Sequence, residues 1–117
     1  MRKVLKVGIA SVEEQRKRTL EIVSGQRAPK ADEPKLWFPS LSAAAKVLSD
    51  DNLALLKAIR ELHPESIEEL AKAVGRLQPN VSRSLHTMEP YGLVRLVKKG
   101  LVVMPETAVE HVTMEVF

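Results

Sequence analysis

Residues 66–92 read SIEELAKAVGRLQPNVSRSLHTMEPYG, and their spacing predicts two short helices joined by a tight turn. Ser66 caps the first helix, and Glu69 follows three residues on, completing the S-x-x-E box that satisfies backbone N–H groups at a helix start. Ile67, Leu70, Ala71 and Val74 recur at i, i+3, i+4 and i+7, one apolar stripe. Gly75 ends that helix through the left-handed conformation that costs glycine least. Gln78-Pro79 starts the next, since proline at the head of a helix forfeits no hydrogen bond. Val81, Leu85 and Met88 make a second stripe, turned toward the first. The small Ala71, the turn glycine four residues later and Val81 six beyond that are offsets suited to a helix-turn-helix held at a steep angle.

Just downstream, Leu93 to Lys98 and Leu101 to Met104 are β-rich runs separated by Lys99-Gly100, a hairpin signal. The segment Gly75 to Gly92, GRLQPNVSRSLHTMEPYG, resembles the recognition-helix region of winged helix-turn-helix regulators of the ArsR and MarR kind. In those families a Q-P-x-V-S-R run opens the helix and a G-L-V step leads into the wing. The resemblance implies a recognition helix over Gln78–Glu89 in the major groove and a hairpin wing over 93–104 on the DNA backbone. Gln78, Asn80, Ser82 and Arg83 match the positions that read bases there, and Arg83 points most directly outward when Val81, Leu85 and Met88 face in. Thr87 flanks Arg83 on the same face. The chemistry fits: Arg suits the guanine O6/N7 edge, Asn or Gln suits adenine, and Ser or Thr suits a phosphate or either base. Lys72, Arg76, His86, Arg95, Lys98 and Lys99 are expected on the phosphate backbone. Pro90 departs from the family pattern and shortens the helix, so base contacts should concentrate in its first two turns. The short tip and Leu101 beside it argue against deep insertion into the minor groove.

Upstream, Lys3 to Ala10 alternates as a short strand, with Leu5, Val7 and Ile9 on one side. Ser11 caps a polar helix with Glu14 at the box position, and Glu13–Lys17 and Glu14–Arg18 have i,i+4 spacing. Its apolar face, Val12, Leu20 and Val23, is thin, so this helix should lie on a partner subunit or on the main domain. Gly25 to Lys35 reads as a linker. Leu36-Trp37-Phe38, in an aromatic-poor chain, reads as an anchor that packs the end of that linker. A helix opened by Ser40 or Ser42 should turn Leu41, Ala44, Ala45 and Leu48 inward. After the break at 49–52, a second should bury Leu55, Leu56, Ile59 and Leu62. Val112, Met114 and Val116 alternate in a terminal strand, which the N-terminal strand is placed to pair with.

The expected fold is therefore mainly α with a small β component: an N-terminal strand-helix extension and linker over 1–35, then a winged helix-turn-helix domain over 36–117 with a C-terminal strand. The composition is that of a soluble globular protein, and no apolar run reaches membrane-span length, so the expectation is cytoplasmic with no membrane contact. The absence of cysteine excludes disulfides and thiolate metal sites. The net charge is +3, and residues 66–100 carry six cations against three carboxylates, which suits an anionic partner. His63, His86 and His111 fall in separate segments without a metal or nucleophile motif, so neither an enzyme nor a cofactor or metal site is expected. Glu106, Glu110, His111 and Glu115 read as a solvated acidic tail rather than as ligands. The expected partners are operator DNA and a second copy, because one short recognition helix covers little sequence. The overall layout is also similar to small prokaryotic antitoxins of TumE/TumA-type pairs, which would add a toxin partner and autoregulation.

Overall fold

The computed structural model describes residues 4–26 and 34–116. In chain order the elements are β1 (Val4–Ile9), α1 (Val12–Val23), β2 (Leu36–Phe38), α2 (Leu41–Val47), α3 (Asp50–Leu62), α4 (Ile67–Val74), α5 (Gln78–Met88), β3 (Arg95–Lys99), β4 (Val102–Glu106) and β5 (His111–Val116). A 3-10 turn over Glu89–Tyr91 extends α5. The chain is thus mainly helical with two small sheets, and no described helix is long and apolar enough to cross a membrane. It divides into two compact units, one over residues 47–110 and the other over 4–46 and 111–116, taken over the described residues. The terminal strand joins the N-terminal one, which places both in the same unit. Within the expected linker, residues 27–33 lie outside the described residues.

The unit over 4–46 and 111–116 holds α1, most of α2 and a three-stranded parallel sheet in the order β2-β1-β5. β5 pairs with β1 along its whole length, from Val4↔His111 to Ile9↔Val116, and β2 flanks the other side through Gly8↔Trp37. Leu5, Val7, Ile9, Leu36, Phe38, Val112, Met114 and Val116 therefore share one face, and Lys6, Gly8, Trp37, Thr113 and Glu115 the other. The anchor read at residues 36–38 is itself a strand, too short for its period to show. Ser11 caps α1 by accepting from the Glu14 N–H at 3.1 Å. The Arg18 guanidinium lies 4.7 Å from the centre of the Trp37 ring. In α2, Ser40 Oγ accepts from the Ala43 N–H, which makes Leu41 the first helical residue. Ala44 and Val47 are buried while Leu41 and Ala45 are exposed, correcting the inward face expected for this helix.

Gly8 is required by packing. A Cβ at that position would stand 2.5 Å from two carbons of the Trp37 ring, below any normal contact. Gly8→Ala is expected to destabilise the protein by about 1–3 kcal/mol, as overpacking does. The loss should shrink in a Trp37→Ala background, because the two sites share one contact. Urea denaturation of the two single variants and the double variant checks this.

In the unit over 47–110, α3, α4 and α5 pack on one another and α3 and α4 on β4. Ser49 caps α3, and the buried Asn52 amide is satisfied by donating to the Val47 carbonyl at 2.9 Å. Leu55, Leu56 and Ile59 are buried as expected, but Leu62 is exposed. There the chain leaves the helix through His63 in the left-handed region (φ 47°), and Pro64 is buried instead. Arg60 donates to the Glu110 carbonyl at 2.6 Å, and Thr107 Oγ1 donates to the Leu93 carbonyl at 2.7 Å, tying down the segment after β4.

Candidate nucleic-acid interface

The start and end of α4 follow from its sequence. Ser66 Oγ accepts from the Glu69 N–H at 3.0 Å, and the Glu69 carboxylate reaches back to the Glu65 N–H, one residue before the usual partner. Gly75 closes the helix at φ 69°, where an L side chain would be strained, and the Arg76 N–H returns to the Ala71 carbonyl at 3.0 Å. Two residues later α5 begins. Its N-cap is Leu77, which offers no side-chain cap, and Pro79 is its second residue rather than its first. Asn80 and Val81 both donate to the Leu77 carbonyl, which leaves the Gln78 N–H open in the first turn. The helix start therefore offers an anion less backbone than an ordinary N-terminus does.

Val81, Leu85 and Met88 are fully buried and fix the rotation of α5 about its axis. Gln78, Asn80, Arg83, His86 and Thr87 are then exposed and Ser82 is half-buried. Hydrogen bonding separates these residues further. Thr87 Oγ1 donates to the Arg83 carbonyl at 3.0 Å, so it is occupied within its own helix. His86 Nδ1 lies 2.7 Å from the Ser82 carbonyl. That carbonyl accepts only, so the contact takes Nδ1 as the donor. Gln78, Asn80 and Arg83 have no side-chain partner among the described residues.

The cations expected on the backbone sort in the same way. Lys72 pairs with Glu68 at 3.4 Å on the surface of α4. Arg95 pairs with its cross-strand neighbour Glu106 and so closes the base of the hairpin. Arg76 is half-buried: one guanidinium nitrogen lies 3.4 Å from Ser84 Oγ, and Nη1 is buried without a partner among the described residues. Lys98 and Lys99 are exposed and have no ion-pair partner among the described residues. They precede a two-residue loop, Gly100-Leu101, between the paired Lys99 and Val102. Gly100 has φ 63° and Leu101 does not have positive φ, the II′ arrangement whose twist matches that of a hairpin. The strands lie at 95–99 and 102–106, later than expected, because Leu93 and Val94 are buried core rather than strand. Leu101, expected to open the second strand, lies instead at the tip, and it and Leu77 before α5 are exposed apolar side chains.

The match to a family model spans residues 47–112. The chain belongs to the HVO_A0114 family. The matched segment coincides with the compact unit of residues 47–110 and so contains α3, α4, α5 and the β3–β4 hairpin together with every candidate residue. β1, α1 and β2 lie outside it. No curated protein matches the chain. Among the described residues, no three His, Asp or Glu side chains come together as metal ligands would.

Proposed function

We propose that this protein is a sequence-specific double-stranded DNA-binding regulator of the winged helix-turn-helix kind. On this reading α5 enters the major groove and the β3–β4 hairpin lies along the phosphate backbone. One observation carries the reading: α5 is held by three fully buried side chains while the side chains of Gln78, Asn80 and Arg83 on its outer face have no bonding partner among the described residues. A helix so fixed presents donors and acceptors at set positions, which is what reading base edges requires. The exposed Lys98 and Lys99, without an ion-pair partner among the described residues, support a phosphate contact by the hairpin. Base reading rests on Gln78, Asn80 and Arg83, since Ser82 and Thr87 lie beside or within bonds internal to the helix.

Selection from a random duplex library with the purified protein tests the proposal. Enrichment of one recurring site supports it; equal recovery of all sequences sinks it. Lys99→Ala is expected to weaken cognate and random duplexes alike and to reduce the slope of log affinity against log salt by about one. Titrations at several salt concentrations read both effects. An unchanged slope would remove Lys99 from the phosphate contacts.

A further inference from the structure

We propose that the free edge of β5 pairs antiparallel with β5 of a second copy of this chain, about a two-fold axis at Thr113. β5 is paired with β1 over all six of its residues, and among the described residues its other side is an edge of the sheet. Unpaired edges are usually blunted by shortness, by proline or lysine, or by a bulge. The opposite edge, β2, has such protection: it is three residues long and lies between Pro34 and Pro39. β5, HVTMEV, is six residues long and contains neither proline nor lysine. It is also apolar on the face where burial is highest. Val7 and Ile9 on β1 are 0% and 5% exposed, whereas their neighbours Met114 and Val116 on β5 are 43% and 61% exposed.

The strand's own sequence selects the second copy as its occupant. A two-fold axis perpendicular to the sheet keeps the two apolar faces on one side only where a residue meets its own copy. With Thr113 at the axis, His111 faces Glu115 of the second copy, and Val112 faces Met114 of the second copy. Imidazole N–H then meets carboxylate, apolar meets apolar, and the two threonines meet each other, all favourable cross-strand pairs. Moving the axis to Met114 or Val112 separates His111 from Glu115 and leaves threonine opposite one or the other. Glu115 already holds Lys6 at 3.5 Å, and a carboxylate accepts from two donors. The product is a six-stranded sheet running through both copies.

The chain lacks cysteine, which makes the test clean. Under oxidation, Thr113→Cys should form a covalent dimer. His111→Cys should not, since in this register the two His111 positions lie about 13 Å apart along the strand, beyond disulfide reach. In sedimentation equilibrium Met114→Lys should weaken the dimer about tenfold or more. His111→Glu should weaken it too, while His111→Lys keeps it. Far-UV circular dichroism confirms that each variant is folded. His111 is exposed, so its pair of variants gives the answer even if Met114→Lys unfolds. A wild-type monomer at the highest soluble concentration, equal cross-linking by both cysteine variants, or a dimer indifferent to the sign at position 111 would each overturn the proposal. None of these measurements involves DNA, so the result stands or falls apart from the DNA-binding reading.

Discussion

Arg83→Ala is expected to cost about 1–3 kcal/mol of specific DNA affinity and to flatten the preference at a single base pair while barely changing binding to random duplex. The argument begins with what Arg83 does not do. Its guanidinium makes no ion pair among the described residues, so removing it leaves no buried charge unpartnered and should leave stability within about 0.5 kcal/mol of the parent. Its backbone carbonyl stays hydrogen-bonded to Thr87 Oγ1 whatever the side chain is. An affinity loss therefore reports on the ligand and not on the fold. Guanidinium is the side-chain group that meets both guanine acceptors in one plane, so Arg83→Lys should restore phosphate-like attraction without restoring discrimination. Competition binding between the selected site and its single-base variants reads the result. Equal losses on cognate and random DNA would mean that Arg83 touches phosphate only.

Local signals made the unit over 47–110 legible in sequence. Ser66 with Glu69, Gly75, Pro79 and the stripe Val81-Leu85-Met88 each describe bonds between residues a few positions apart, and each has a counterpart in the structure. The alternation at 111–116 was likewise visible, and so was β1 as its partner, but the direction of the pairing was not. Period two says which residues share a face and nothing about whether β1 runs parallel or antiparallel beside them. The same limit hid β2. Three residues cannot show a period, and Trp37 reads as an anchor until its register with Gly8 is known. Leu41 and Leu62 misled for a different reason. Both sit at helix ends, where the cap at Ser40 and the exit at His63, rather than the apolar spacing, decide which residues turn inward.

The candidate site shows a further limit of sequence reading. Helical spacing puts Arg83 and Thr87 on one outer face and makes them look equivalent, yet hydrogen bonding leaves Arg83 open and turns Thr87 back onto its own helix. Likewise Arg95 and Lys99 are both hairpin cations, and only the register shows that Arg95 stands opposite Glu106 while Lys99 stands opposite Val102. Charge type can be read from a sequence; whether that charge is already spent within the fold depends on pairing.

Leu85→Ala tests the scaffold beneath that surface, and it is expected to lower stability by about 2–5 kcal/mol. Leu85 is 0% exposed and lies between Val81 and Met88 on the buried stripe of α5, so the truncation leaves a cavity where α5 meets α3 and α4. That is a large part of the 5–15 kcal/mol that typically separates folded from unfolded domains. The outer face of α5 is untouched, so under conditions where the variant stays folded its affinity for DNA should remain near that of the parent, opposite to Arg83→Ala. The chain's single tryptophan gives the measurement a second probe. Trp37 lies in the unit with β1, whereas Leu85 lies in the unit of residues 47–110. In urea, far-UV circular dichroism follows helices of both units and tryptophan fluorescence follows the surroundings of Trp37. If the two units unfold together, both midpoints should fall with the slope unchanged. If they unfold separately, only the circular-dichroism midpoint should fall. A variant that shifts the fluorescence transition alone, or that loses less than about 1 kcal/mol, would mean that Leu85 is not the centre of a closely packed core.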